Sequence, residues 1–262
     1  MPFQRHNGFV MNSAQRAQSC ELSRLIRAEE LRIVRLYRGR DTSARAREEF
    51  FGYRDLTHFV QVCDRYRQTL CLLQKTGYHP LSDLRILDVG CGNGNMLRQF
   101  LQWHASPEHL AGIDLRSEPV KKARSLNPGL DLRCGSGTAL PWSDAAFDLV
   151  CQHTVFSSIL NPLVRRQVAS EMSRVLRPGG GVLWYDLRYS NPSNPRVRAI
   201  KRREINLLFP GFKIHLRPIS LAPFIGRRLP EALLGVLYPL LAAIRPLRGF
   251  FLGLFVKPGG DN

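Results

Sequence analysis

From position 85 to position 186, short apolar runs alternate with segments whose apolar residues recur at helical spacing. The runs fall at 85–89, 109–114, 130–134, 147–152 and 181–186. Helical stretches at 96–103, 120–126 and 164–176 separate them. Asn127-Pro128-Gly129 and Arg177-Pro178-Gly179-Gly180 stop the last two. This alternation predicts a parallel sheet with helices on both faces, and such sheets bind ligands beyond the carboxyl ends of their strands.

The flanks read differently. Leu22, Leu25, Ile26, Leu31, Ile33, Val34 and Leu36, set among many charges, predict an amphipathic helix over 21–37. Phe59, Val62, Tyr66, Leu70 and Leu73 predict a second helix within 50–76, stopped by Gly77 and Pro80. After Asp186 the pattern predicts a Pro/Asn/Ser loop, a basic helix at 197–209, a strand at 213–219, a helix at 230–244 and a strand at 249–257. The stretch 232–244 is apolar but is broken by Pro239 and closed by Arg245, short of the ~18 residues a membrane span needs. Its apolar face is expected to bury on the sheet. The expected fold is a doubly wound α/β, Rossmann-like domain over 84–262. It has a seven-stranded, mostly parallel sheet and a substrate-covering insertion near 187–211. Residues 1–83 are expected to form a helical extension with Tyr37, Tyr53 and His58 as its notable side chains.

The strongest chemical signal is Asp88-Val89-Gly90-Cys91-Gly92-Asn93-Gly94, where a strand ends, turns on glycines and opens a helix. Gly90 and Gly92 let a ligand lie against bare backbone. The spacing is G-x-G-x-G, and Asn95 stands where a dinucleotide fingerprint has its third glycine. Asp88 repels a pyrophosphate and attracts a cationic amino group, which argues against an NAD-dependent oxidoreductase. Asp114 closes the second strand, where a carboxylate accepts ribose hydroxyls, and Leu115 follows to pack on an adenine ring.

Ile86 to Gly94 resembles the first motif of the class I S-adenosylmethionine-dependent methyltransferases, and Asp114 matches the acidic end of their second strand. Ala139-Leu140-Pro141-Trp142, Phe147-Asp148-Leu149-Val150 and Leu176-Arg177-Pro178-Gly179-Gly180 are similar to motifs of the UbiE-like (methyltransferase type 11) branch. The resemblance implies S-adenosyl-L-methionine as cofactor, held by Asp88, Gly90, Cys91, Gly92, Asp114, Leu115, Ser136, Gly137, Thr138 and Gln152. The resemblance to families with such an N-terminal extension also implies that residues 1–83 act as a lid. One departure stands out. The family places an Asp where this chain has Ser136, which accepts a hydrogen bond without charge, so adenine is expected to lean on Gly137 and Thr138. His153, at the end of the fourth strand, is the candidate general base for a hydroxyl acceptor. Asp186, at the end of the fifth, is the second catalytic candidate, with Arg188 and Tyr189 as acceptor contacts. Asp148 reads as structural.

Charge adds a partner class. The chain carries a net +17, and residues 187–262 hold 13 basic against 3 acidic side chains. The densest run is Arg196 to Arg203, where the fold places its acceptor cover, so an anionic small-molecule acceptor is expected. Peripheral contact with acidic lipid and an RNA acceptor are the other readings of this charge. A degenerate domain that only binds RNA or a partner is a further alternative, opposed by intact Asp88, Gly90, Gly92 and Asp114. The six cysteines form no C-x-x-C pair, and the histidines have no ligand-like spacing, so no metal is expected. With no secretory pattern at residue 1, a cytoplasmic protein with reduced thiols is the expectation.

Overall fold

The computed structural model describes residues 13–41, 55–191 and 194–259. Tyr53 and the start of the predicted second helix lie outside them. Seven strands form one sheet: β1 (Ile86–Val89), β2 (Leu110–Asp114), β3 (Asp131–Cys134), β4 (Phe147–His153), β5 (Leu176–Leu187), β6 (Lys213–Leu221) and β7 (Arg248–Val256). Their order is β3-β2-β1-β4-β5-β7-β6. β1 to β5 pair in parallel, and β7 runs antiparallel to both β5 and β6.

Eight helices dress the sheet among the described residues: α1 (Ser13–Asp41), α2 (Leu56–Lys75), α3 (Asn95–Gln102), α4 (Ser117–Leu126), α5 (Pro162–Val175), α6 (Arg202–Leu208), α7 (Pro223–Gly226) and α8 (Leu234–Ala243). Their starts follow local chemistry. The Asp55 side chain accepts the His58 N–H ahead of α2, and Asn161 accepts the Leu163 N–H ahead of α5, where Pro162 fills the first turn.

Successive strand residues supply opposite faces. Ile86, Leu149 and Leu183 pack with Leu73, Phe100 and Val120 of α2, α3 and α4. Leu87, Val150 and Trp184 pack with Val168 and Met172 of α5 and Ile205 of α6, and Ile26 and Ile33 of α1 lie against that cluster. Asp148 has the structural role read from the sequence. Its carboxylate takes the Arg85 N–H at 2.7 Å and pairs with Arg177. Burial opposes its ionisation, but the Arg85 amide and Arg177 hold it below the ordinary carboxylate value.

Four expectations need correction. The fifth strand begins at Leu176, not 181, because Leu176 pairs with Phe147 before a register shift brings Gly181 opposite Leu149; the Arg177-Pro178-Gly179-Gly180 turn is an irregularity within the strand. The basic helix shrinks from 197–209 to Arg202–Leu208. Ahead of it the Arg198, Ala199 and Ile200 N–H groups are taken by Ser157 O, Ser190 Oγ and Leu187 O, which leaves no helical ladder. The 1–83 extension is two different things. α1 lies over the cavity, whereas Leu72 and Leu73 of α2 belong to the core. Finally, the predicted 230–244 helix starts at Leu234 after a single 3₁₀ turn and buries only Leu234 and Tyr238.

Candidate active site

At the carboxyl ends of β1, β2, β4 and β5 the chain surrounds an open cavity of about 1210 Å³. That exceeds the ~300–1,000 Å³ of a single-ligand pocket, so it has room for a cofactor and an acceptor together.

One side is built on the glycine turn. The Gly90 and Cys91 N–H groups both bond Ile113 O, at 2.7 and 3.0 Å, which staples the turn to the end of β2. Gly90 has φ +76°, and a Cβ there would sit 2.4 Å from Val155 Cγ2. Gly92 has φ +52°, and a Cβ there would meet nothing within 4 Å, so its backbone faces open space. The Asp114 carboxylate accepts the Gly92 N–H at 3.0 Å and the Arg116 N–H at 2.9 Å. Arg116 Nε also faces Oδ1 at 3.4 Å, so Oδ2 is the oxygen with a lone pair left for a ligand. Leu115 and the loop Gly135, Ser136, Gly137, Thr138 line the same side. The Ser136 hydroxyl is spent locally, 2.7 Å from Thr138 Oγ1 and accepting the Thr138 N–H at 3.1 Å. Cys91 lines the cavity, but burial, reinforced by Asp88, pushes its thiol well up.

The other side is aromatic and cationic. His153 lines the cavity beside Tyr185, which stacks on Phe250 with centroids 4.8 Å apart. The Arg65 guanidinium of α2 sits 5.1 Å from the centroids of both Tyr66 and Tyr185. The Asp88 Oδ1 and both ring nitrogens of His153 are buried without a hydrogen-bond partner among the described residues. Burial holds the imidazole below its ordinary value of 6.5, only partly offset by Asp88.

A family model for the methyltransferase domain matches residues 86–180. This segment is a class I S-adenosylmethionine-dependent methyltransferase domain. The chain is 35% identical over 164 residues, 58% of each chain, to phthiotriol/phenolphthiotriol dimycocerosates methyltransferase 1 of Mycobacterium ulcerans. It is 30% identical over 170 residues, 63% of each chain, to the malonyl-(acyl-carrier protein) O-methyltransferase of Erwinia billingiae. It therefore spans less than two thirds of the length of these relatives. A SAM-dependent methyltransferase from Archaeoglobus fulgidus shares the fold, with a TM-score of 0.56 at 14% identity over 80% of this chain and 97% of that one.

The methyltransferase domain's cofactor is S-adenosylmethionine, and the residues present fit it. The open Gly92 backbone, Asp114 and the 135–138 loop line one wall of the cavity, while Asp88, 3% exposed, is buried behind the glycine turn with its Oδ1 3.6 Å from His153 Nδ1.

Besides Asp88, two predicted residues stand off the cavity. Gln152 is fully buried off the cavity, where its side chain accepts the Val155 N–H at 3.0 Å and braces the loop behind Gly90. Asp186 is also fully buried and off the cavity. Its carboxylate accepts the Ser157 and Leu187 N–H groups at 3.1 and 2.8 Å, and burial pushes its pKa up to about 6. Strand parity explains both. His153 pairs with Tyr185 on one face, whereas Gln152 pairs with Trp184, and Asp186 shares the Trp184 face. The period-two rule applied to Trp184-Tyr185-Asp186 would have selected Tyr185.

In the 187–211 segment, Leu187, Tyr189, Ser190, Asn191, Asn194 and Val197 line the cavity. The basic residues Arg196, Arg198, Lys201, Arg202 and Arg203 do not; Arg198 pairs with Glu204 and Arg202 donates to Leu216 O. Arg188 turns away to Arg245 O and Arg248 O.

α1 brings Tyr37 to the cavity together with residues the sequence did not single out. Glu29 accepts the Leu160 and Asn161 N–H groups and pairs with Arg32 at 2.8 Å, and Arg32 donates to Ser158 O. Tyr37 Oη lies 2.9 Å from Ser158 Oγ, and the Arg116 guanidinium covers the Tyr37 ring at 4.5 Å. Glu29, Ile33 and Tyr37 recur at helical spacing on the cavity side of α1.

Proposed function

We propose that this protein transfers a methyl group from S-adenosylmethionine to a hydroxyl of a small-molecule acceptor with an apolar body. When bound, the cofactor supplies an electrophilic methyl group on a cationic sulfur. Asp88 and the Gly90–Gly92 backbone hold its amino-acid end, Asp114 its ribose, and Leu115 with the 136–138 loop its adenine. His153 takes the acceptor proton. The observation that carries this role is a cavity-lining imidazole that makes no hydrogen bond through either nitrogen, has Asp88 Oδ1 3.6 Å from Nδ1, and is kept neutral by burial. Phe59, Val62, Tyr66, Phe224 and Phe250 line the acceptor side and favour an apolar body. The relatives named for dimycocerosate and malonyl-carrier methylation support an acyl or lipid-like acceptor. The basic run that suggested RNA or an anionic acceptor faces away from the cavity.

The test is transfer of a tritiated methyl group from S-adenosylmethionine into lipid, polar-metabolite and RNA fractions, followed by mass analysis of the product. A methyl ether in the lipid fraction is expected. Label in RNA, or a methyl group on carbon, overturns the acceptor reading.

A further inference from the structure

β6 and β7 pair from Lys213↔Val256 to Leu221↔Arg248, and residues 222–247 leave the sheet between them. Since β7 is antiparallel to β5, with Leu187 opposite Phe250, this excursion emerges at the end of the sheet where the cavity opens. It packs through Leu234 and Tyr238, with the Tyr238 hydroxyl taking the Leu221 N–H at 3.2 Å. Its outer side is apolar. Val236 and Leu240, one turn apart on α8, are 62% and 61% exposed, and Leu233 and Ile244, which flank the helix, are 48% and 49% exposed. Phe224, 53% exposed, belongs to the same excursion and lines the cavity. No charged residue occurs from 232 to 244. Exposed Arg228 and Arg245 stand at the two ends of the helix, whereas Arg227 faces Asp55 at 4.0 Å and Arg248 donates to the Ala242, Ala243 and Pro218 carbonyls; Glu231 is the single acid in the stretch.

We propose that the face formed by α8 and Phe224 docks on an anionic lipid bilayer, with the cavity mouth turned toward the membrane. An apolar stripe rimmed by arginines matches the interfacial region of such a surface, where side chains sink below the headgroups and guanidinium groups meet phosphates. Charge selects this occupant over a second copy of the chain. Two such faces brought together by a twofold axis would oppose arginine rims with one Glu231 each to offset them. The stripe is also too short to cross a bilayer, since no helix among the described residues is long and apolar enough. The inference rests on the surface and holds whether or not the acceptor is a hydroxyl.

The test is flotation of the full chain with vesicles of phosphatidylcholine alone and of phosphatidylcholine mixed equally with phosphatidylglycerol. The parent should partition onto the anionic vesicles about tenfold more strongly, a preference suppressed by salt. Val236→Glu with Leu240→Glu, both at exposed positions, should lower that partition about tenfold, with the melting temperature and S-adenosylmethionine affinity unchanged. Arg228→Gln with Arg245→Gln should remove the preference for anionic vesicles and leave the weaker apolar binding. A parent that ignores anionic vesicles overturns the proposal, as does a glutamate variant that binds like the parent. A parent that sediments as a dimer, becomes a monomer in the glutamate variant and binds no vesicles assigns the face to a second copy and overturns it too. Loss of methyl transfer with intact vesicle binding would instead count against the catalytic reading alone.

Discussion

His153 Nδ1 lies 3.6 Å from Asp88 Oδ1 across the carboxyl ends of β1 and β4. That is too long for a hydrogen bond but close enough for the carboxylate to favour a protonated imidazole. Burial opposes this and wins, so the ring is neutral at the pH where a base is needed. His153→Gln should lower kcat/KM by about 10²–10⁴-fold and leave S-adenosylmethionine affinity unchanged. The base is present above its folded pKa, which lies below 6.5, so the parent should keep its rate as pH falls through 6.5 and lose it only further down. A pH profile of kcat/KM checks this, and an acid limb centred above 6.5 would remove His153 from the role.

Gly90→Ala should cost about 1–3 kcal/mol of stability, as overpacking does, because its Cβ would strike Val155 at a backbone angle that side chains avoid. Val155→Ala in the same chain should recover part of the loss. Thermal unfolding of the single and double variants measures the recovery, and equal losses in both would mean the clash is not what excludes a side chain.

Asp114→Ala should weaken S-adenosylmethionine binding by about 1.5–3 kcal/mol, the usual cost of losing hydrogen bonds to a charged acceptor. It also releases the Gly92 N–H, so the turn loosens as the ribose partner is lost. Isothermal calorimetry should show the fall in affinity. Parent-like affinity in the folded variant would show that the carboxylate is not a ribose acceptor.

Asp186 should matter to stability rather than to the rate profile. Its folded pKa of about 6 lies above the ordinary 3.8, so its contribution to stability is full below 3.8 and lost as pH rises through 6. A shift of that size corresponds to about 3 kcal/mol. Relative to the parent, Asp186→Asn should gain stability as pH is raised from 4 to 7, with the acid limb of the rate unmoved. Urea unfolding across that range measures the difference, and a parallel pair of curves would deny the carboxyl its raised pKa.

Glu29→Gln with Arg32→Gln should open the lid. Both residues bond the loop after β4, so the variant should lose about tenfold in cofactor affinity with a small change in melting temperature. Unchanged affinity would make α1 a bystander.

The parallel half of the sheet was legible because β1, β2 and β4 are short apolar runs ended by turns, and the cofactor wall because each of its pieces directly follows one of the strands β1 to β3. The acceptor side was not. It is assembled from α2, the end of β5 and the start of β7, and nothing in the local pattern around Arg65, Tyr185 or Phe250 tells that they meet. Asp186 and Gln152 misled because a polar residue at a strand end looks available until the parity of the strand is fixed. The 232–244 stretch misled in the opposite way. An apolar helix was read as a buried one, whereas its lipid-like outer side has no sheet to cover.

The order of the strands has a consequence for how the chain is made. β7 follows both β5 and β6 in the chain yet must lie between them. α2 emerges early yet closes on β6, through Gln61 to Leu221 O and Arg217 to Gln68 O, across 160 and 149 residues of chain. During synthesis, β1 to β5 can assemble while the flank of β5 lies open and α2 has no strand to cover. Such an edge invites pairing with other chains until the final strand slots in. Until residues 248–256 are made this flank therefore stays exposed to aggregation, and a ribosome stalled before residue 248 should hold a chain that chaperones recognise.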